Sequence, residues 1–370
     1  MKTLRFIILL WITIALLSAS ACAAPNDLDT LQRETYGITE LEAHIPEEAD
    51  TLFNGLTLDK ALHPDLLLNQ FWRSVSGSSD LLVHSALQNA LSVFLLCFLF
   101  SVMRALPMDA RQGKIVGLIG ALALSLFCVR EVDACVPLGF QAVDSISGFS
   151  AKLLPALCAA ATAGGAVTSA GVKYTISTLV LDLFITTVLQ IIRPILKAYI
   201  ALCVTGIITQ NEILQSVTNF AKALLRVGLV GTAIIFTTYL TVTGILNESV
   251  DAASAKAAKT LISSALPVVG GILSDAASSI VSGAGILRSG VGVLGFASVF
   301  AICWLPYLAL GLHFLFYRLL SGFAAAFSDR QISALLKGFS DIYGMILGSV
   351  GAVSLVLFIA IASLMKGVNS

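Results

Sequence analysis

The chain has 370 residues, of which 57% are hydrophobic and only 12% are charged. An ordinary soluble domain carries about 25% charged residues, so this chain has too few polar residues to cover a soluble fold of its size. The 22 basic and 22 acidic residues cancel, and the mean hydropathy is +0.92. Composition therefore excludes a soluble globular protein, a disordered chain and a disulfide scaffold, and it predicts an all-α polytopic membrane protein.

The N-terminus has the pattern of a secretory signal peptide. Lys2 and Arg5 precede an apolar run over residues 6–17, and small residues follow this run. The run is too short to cross a bilayer comfortably, because a transmembrane helix needs about 20 apolar residues. We therefore predict a signal peptide over residues 1–23.

The small residues at the end of this segment indicate where a signal peptidase would cut. Cleavage is predicted between Ala23 and Ala24, and cleavage after Ala21 is the next choice. Two further interpretations stay open, namely lipidation of Cys22 and an anchor that is not cleaved. Each of them places the start of the mature chain outside the cytoplasm.

Residues 24–80 form a polar segment with eleven acidic residues against three basic ones. Pro46, Pro64 and a Ser/Gly run at residues 76–79 interrupt it, and short helices are predicted between these points. We expect a solvated extracytoplasmic segment. Docking of this segment onto a partner is the alternative.

Residues 81–370 are predicted to form a transmembrane domain of about seven to eight helices. Hydropathy marks eight candidate spans at residues 82–103, 114–130, 153–172, 174–192, 194–209, 228–246, 290–316 and 343–365. Arg104, Arg111 and Lys114 lie between the first two spans. They mark the clearest cytoplasmic loop, since basic residues concentrate on the cytoplasmic side, and this agrees with an exported N-terminal segment.

One connector has the pattern of an amphipathic helix. Residues 211–227 place five apolar side chains near one face, with Lys222 and Arg226 opposite. The apolar residues are Ile213, Val217, Phe220, Leu224 and Leu225. We expect this helix to lie at the membrane interface or to pack on a neighbouring helix.

The stretch 266–285 combines a predicted break with rows of small residues. Pro267 and the Gly270-Gly271 pair predict a break or a re-entrant turn, which a membrane tolerates only inside protein or along a wet cavity. Small residues then recur every four positions, as they do again in the last span. The candidate packing or pore-lining residues are Pro267, Gly270, Gly271, Ser274, Asp275, Ser278, Gly344 and Gly348. Intramolecular packing is expected, and an intersubunit or pore-lining role is the alternative.

Asp182 is the candidate intramembrane charge, because it lies in the middle of an apolar span. A charge at that depth costs several kcal/mol unless it is paired or hydrated. We expect an internal ion pair, with Arg193 or Lys197 brought close by tertiary packing. A proton or solute site is the alternative.

The chain carries no motif that is typical of an enzyme. A phosphate-binding loop, an HExxH metal motif, a GxSxG elbow and a dinucleotide fingerprint are all absent from the sequence. We therefore predict no catalytic residue, no cofactor and no metal. His84 and His313 are single histidines on apolar segments and are expected to be hydrogen-bonded packing residues, and a disulfide between Cys128 and Cys135 stays open. No basic cluster with interleaved aromatic residues occurs, so nucleic acid is not an expected partner.

A set of short motifs in residues 244–342 carries a family resemblance. The motifs are Ala255-Lys256, Lys259, Leu266-Pro267-Val268-Val269-Gly270-Gly271, Leu273-Ser274-Asp275-Ala276, Leu287-Arg288, Gly290-Val291-Gly292-Val293-Leu294-Gly295, Pro306, Tyr317-Arg318-Leu319 and Ser328-Asp329-Arg330-Gln331-Ile332. Upstream motifs are Leu154-Pro155-Ala156-Leu157 and Thr162-Ala163-Gly164-Gly165. On these residues the chain resembles the stage III sporulation protein AE family of spore-forming Firmicutes, over roughly residues 85–365.

This resemblance implies an integral protein of the mother-cell membrane that surrounds the engulfed forespore. It implies membership of a multi-protein channel or secretion-like apparatus, needed for forespore development after engulfment. The implied partners are other products of the same sporulation operon, including an ATPase and ring-forming subunits, together with the lipid bilayer. The alternative function is a secondary transporter with its site at the predicted broken helix, residues 266–285.

Overall fold

The computed structural model describes residues 38–107, 109–163, 167–209, 211–231, 234, 270–327 and 330–365. Every secondary-structure element in these ranges is helical, which confirms the all-α prediction. The helices are α1 (Ile38–Ala43), α2 (Glu47–Phe53), α3 (Leu58–Ala61), α4 (Pro64–Ala105), α5 (Ala110–Ala163), α6 (Val167–Thr186), a π-helical turn (Thr187–Ile192), α7 (Arg193–Thr209), α8 (residues 212–231), α9 (Gly270–Phe327) and α10 (Arg330–Met365).

The centre of the bundle is the antiparallel pair α9 and α10, and α5 packs along both of them. Small residues allow the closest approaches. A Cβ atom at Gly295 of α9 would lie 2.7 Å from Leu153 Cδ2 of α5, which is closer than side chains pack. In lipid, where burial of apolar surface does not drive helices together, such close van der Waals packing holds a bundle together.

Five described segments are long and apolar enough to cross a membrane. They are Leu82–Met103, Arg111–Ala163, Ala170–Gly206, Ser289–Ala326 and Gln331–Met365. Hydropathy alone predicts eight spans, and most of them are shorter than these segments. α5 alone has 54 residues and is about 80 Å long, whereas the hydrocarbon core of a bilayer is about 30 Å thick. This one helix therefore contains the whole predicted span 114–130 and residues 153–163 of the next predicted span, 153–172.

The predicted break between the spans 174–192 and 194–209 is absent. Pro194 lacks the N–H group that an α-helical ladder requires at its position. The π-helical turn that precedes Arg193 shifts the hydrogen-bond ladder, so the backbone continues as a helix from α6 into α7. The predicted span 228–246 lies largely outside the described residues.

The predicted interruption at residues 76–79 is also wrong, because α4 continues through them. Serine and glycine cost a helix at most about 1 kcal/mol per residue, and tertiary packing offsets this cost. Phe71 of α4 packs edge-on against Phe300 and Trp304 of α9, with ring centroids 5.2 Å apart in each case. The proposed boundary between residues 80 and 81 therefore falls inside one helix.

The described part of the acidic segment folds back onto the bundle instead of standing free in solvent. Leu58 is buried, and its Cδ1 atom would lie 2.9 Å from a Cβ atom at Gly290 of α9. Glu40 of α1 forms a 2.6 Å ion pair with Lys152 of α5. The expectation of a solvated segment is thus corrected for α1 to α3, whose apolar side chains supply the docking surface.

Three helices of the bundle carry exposed apolar side chains, and we call this set the apolar belt. It comprises Leu87, Leu91, Leu95, Phe98 and Leu99 of α4, Ile115, Leu118, Ile119, Leu122 and Leu126 of α5, and Leu315, Leu319 and Phe323 of α9. Large exposed apolar patches mark membrane or protein contact surfaces. The belt therefore identifies the part of the bundle that fits a lipid environment.

Candidate functional site

A group of polar side chains lies inside the bundle, between α4, α5, α9 and α10. Glu131 Oε2 of α5 accepts a hydrogen bond from Asn89 Nδ2 of α4 at 2.5 Å. The same oxygen lies 3.8 Å from His313 Nε2 of α9. His313 is only 7% exposed. An ionisable pair in such a place is a candidate functional site, because buried charges in membrane proteins often mark ion or proton pathways.

The hydrogen bonds of His313 define how its ring can work. Its Nδ1 atom lies 2.8 Å from the carbonyl oxygen of Ala309, and a carbonyl can only accept, so Nδ1 carries a proton. The Nε2 atom faces Glu131 Oε2. Cys135 Sγ lies 4.0 Å from the same nitrogen. The arrangement brings an imidazole, a carboxylate and a thiol together inside the bundle.

Two tyrosines extend this polar group along α9 and α10. The ring of Tyr343 lies 5.2 Å from that of His313, and Tyr317 lies 5.3 Å from Tyr343. Both tyrosine hydroxyl groups are buried, and each interacts with a buried thiol, Cys128 for Tyr317 and Cys135 for Tyr343. A thiol is a weak hydrogen-bond partner, so these hydroxyls form a polar but weakly bonded part of the interior.

Sequence reasoning missed Glu131 and described His313 well. The predicted second span ends at residue 130, which places Glu131 at a polar helix end. The signal that identifies it is helical spacing, since Glu131 lies three and four residues from Cys128 and Cys135, which are both buried. His313 is buried and hydrogen-bonded, as predicted. Both cysteines are free thiols, so the disulfide alternative is not realised.

The predicted small-residue row on α10 lies against two neighbouring helices. A Cβ atom at Gly344 would lie 3.1 Å from the ring of Phe314 on α9, and one at Gly348 would lie 3.4 Å from Leu229 on α8. Ser340, one turn earlier, donates a hydrogen bond to the carbonyl oxygen of Phe314 at 3.2 Å. These small residues let three helices approach closely.

Gly344 and Gly348 also line a cleft of about 390 Å³ between α8, α9 and α10. Its charged groups are Lys222, Arg226, Arg318 and Asp341. Lys222 forms an ion pair with Asp341 Oδ2, and Arg318 Nη1 lies 3.8 Å from Asp341 Oδ1. One carboxylate therefore lies among three cations.

The amphipathic helix predicted over residues 211–227 is present as α8, and it packs on the bundle through Lys222 and Leu225. Lys222 forms an ion pair with Asp341, and Leu225, one of the five predicted apolar-face residues, is buried. The other four predicted apolar-face residues are exposed, and they are Ile213, Val217, Phe220 and Leu224. Most of the apolar face of this helix is therefore the outer one.

Asp182 does not form the expected internal ion pair. Its side chain is exposed, and it has no ion-pair partner within the part of the chain that the structure describes. α6 buries Leu181 and Phe184, so its helical phase turns Asp182 outward. Arg193, one of the two expected partners, lies instead over the ring of Phe140 at 5.3 Å.

Most of the remaining predicted residues lie within the first turns of α9 or just before it. The described backbone is helical from Gly270 through Gly271, Ser274, Asp275 and Ser278. Pro267, with the predicted break, and the predicted cleavage point between Ala23 and Ala24 lie outside the described residues. Within the described ranges, no group of three His, Cys, Asp or Glu side chains is placed to hold a metal ion.

The long apolar helices and the apolar belt define an all-α protein whose described part has five helical segments that could span a membrane. The family model for stage III sporulation protein AE matches residues 67–367, so the chain belongs to that family. It is 22% identical over 343 residues to stage III sporulation protein AE of Bacillus subtilis (strain 168), which covers 90% of this chain and 83% of the relative. No solved structure matches the chain.

Proposed function

We propose that this protein is a non-enzymatic membrane component of a channel or secretion-like complex between mother cell and forespore, needed for forespore development after engulfment. The observation that carries the proposal is the family match over residues 67–367, which includes all five membrane-length segments of the described residues. Family membership supports a role in sporulation, and the apolar helices support a membrane location.

The shape of the bundle suits a subunit of an assembly. The apolar face of α8 and the apolar belt leave large surfaces that need lipid or another protein to cover them. The chain has no phosphate-binding loop, so a complex that uses nucleotide energy would take it from a separate subunit. Such a subunit fits the ATPase that the sequence analysis expects among the partners.

We place the protein in the mother-cell membrane around the forespore, with the N-terminal segment outside the cytoplasm. Lys2, Arg5 and the apolar run that follows support an exported N-terminus. The proposed partners are the ATPase and the ring-forming proteins of the same sporulation operon, and nucleic acid is not among them.

Deletion of the gene in its native host tests the proposed function. After engulfment, forespores of the deletion strain are expected to form and then to shrink or stop late transcription. A membrane-expressed copy is expected to restore them. Normal spores in the deletion strain would remove the proposal, because a required component cannot be dispensable.

A second candidate function, secondary transport, is favoured by one specific observation. Glu131, which is half-buried, and His313, which is buried, form an ionisable pair 3.8 Å apart, with two buried tyrosine hydroxyls nearby. Proton-coupled transporters use such intramembrane groups. This location differs from residues 266–285, where the sequence analysis placed a transport site.

A further inference from the structure

The cleft between α8, α9 and α10 has an excess of positive charge. Lys222 and Arg318 both approach the carboxylate of Asp341, so that group is already neutralised. Arg226 also lines the cleft, is exposed, and has no ion-pair partner in the described ranges. Three cations against one carboxylate leave a formal excess of two positive charges, which attracts an anion.

The walls of the same cleft are apolar. Leu225 is buried at its base, and Phe314 and Met345 contribute from α9 and α10. Additional apolar lining comes from Ile192, Leu229 and Val230. Its volume of about 390 Å³ lies within the range of roughly 300–1,000 Å³ of small-molecule sites. A suitable ligand therefore combines a negative group with a hydrocarbon part.

Exposed apolar side chains lie next to the cleft along α8 and α9. Leu224 and Val227 of α8 are neighbours of its lining residues and are exposed. Leu315 and Leu319, which flank Arg318 on α9, are exposed as well and belong to the apolar belt. Exposed apolar side chains around a basic cleft are typical of a surface that lies in lipid, where basic pockets between helices bind anionic head groups.

We propose that this cleft binds an anionic phospholipid, with the phosphate between Arg226, Arg318 and Lys222 and an acyl chain along the Leu225 and Phe314 wall. The phosphate chemistry is shared with free phosphate. The apolar walls and the exposed apolar side chains around the cleft favour the lipid as its source. The site goes beyond the proposed role in sporulation, since it depends only on a bilayer around the bundle.

Lipid binding to the detergent-solubilised full-length chain tests the proposal. Native mass spectrometry would follow titrations with phosphatidylglycerol, with phosphatidylcholine of the same acyl chains, and with inorganic phosphate. Arg226→Gln is the variant of choice, because its side chain is exposed and makes no described ion pair. Arg130→Gln removes the same charge from an exposed position on α5 and serves as the matched control.

The wild-type chain and Arg130→Gln are expected to retain phosphatidylglycerol more tightly than phosphatidylcholine. Arg226→Gln is expected to weaken phosphatidylglycerol binding about fivefold, the effect of one basic residue at a lipid surface, and to leave phosphatidylcholine binding unchanged. An equal loss of phosphatidylglycerol binding in both variants, or no loss in either, would overturn the proposal that the lipid binds in this cleft. Displacement of the lipid by inorganic phosphate, with the same dependence on Arg226, would overturn the assignment to a phospholipid.

Discussion

Glu131 is the residue whose substitution separates a packing role from a transport role. Gln at this position keeps an oxygen that can accept from Asn89 Nδ2, which lies 2.5 Å away in the native chain, but it carries no charge. We expect Glu131→Gln to accumulate normally and to support sporulation. Glu131→Ala leaves Asn89 and His313 without their shared partner, so we expect a loss of about 1–3 kcal/mol of stability, measurable by thermal unfolding of the purified protein.

Asp133→Asn is the matched control for this prediction, because Asp133 is exposed on the same helix. It should leave both stability and sporulation unchanged. If Glu131→Gln accumulates normally and yet abolishes sporulation, while Asp133→Asn does not, a charge-dependent transport step replaces the packing role.

The sequence alone could predict which residues are small, apolar or charged, but not which way each one faces. Arg130, Glu131 and Asp133 are close neighbours in one polar run, and only Glu131 turns into the bundle. A hydropathy average does not show which side of a helix a residue faces. For α5, the contacts with α9 and α10 determine this orientation. The row of Gly344 and Gly348 was predictable, because spacing by four residues places both on one helix face without any tertiary information.

At the scale of elements, α1 and α5 are joined by an exposed ion pair that responds to acid. The hydrogen bond and the charge of Lys152 lower the pKa of Glu40 below its usual value. The stability that this lowered pKa contributes is present above the unfolded-state pKa, which is about 4.3 for Glu. It is lost as the pH falls through the lower, folded-state pKa.

We therefore expect the backbone amides of α1 to exchange hydrogen faster as the pH is lowered through that acidic window, after correction for the intrinsic pH dependence of exchange. Glu40→Gln should remove this step at α1, whereas Glu48→Gln on α2 should leave it unchanged, since the side chain of Glu48 forms no described ion pair. Mass spectrometry of exchanged peptides provides the measurement. An unchanged acid step in Glu40→Gln would show that another group controls the contact.

Element boundaries were the least predictable part of the fold, for identifiable physical reasons. Residues 76–79 are weak helix formers, yet α4 continues because Phe71 is held against Phe300 and Trp304. Pro194 predicts a helix break, yet the π-helical turn before it lets the helix continue through this position. Both cases depend on contacts or backbone adjustments that are remote from the local sequence pattern.

At the scale of the whole molecule, composition predicts the class of protein well. In a chain with 12% charged residues, the described ranges alone contain five helical segments that are long and apolar enough to span a bilayer. The docking of α1 to α3 onto α5 and α9 is less predictable, because the many acidic residues of this segment suggest a solvated arm although its short helices also carry apolar side chains. Leu58 against Gly290 is a contact between residues far apart in sequence, so no local pattern contains it.

The central claim is that this chain works as a membrane subunit of a sporulation complex. Its most direct test is affinity purification of the tagged full-length chain from membranes of sporulating cells, with identification of the retained proteins. We expect the tagged chain to retain other products of the sporulation operon, among them an ATPase and ring-forming subunits. A tagged unrelated polytopic protein, which serves as the control, should retain none of them. Recovery of the intact chain alone from such membranes would contradict the account.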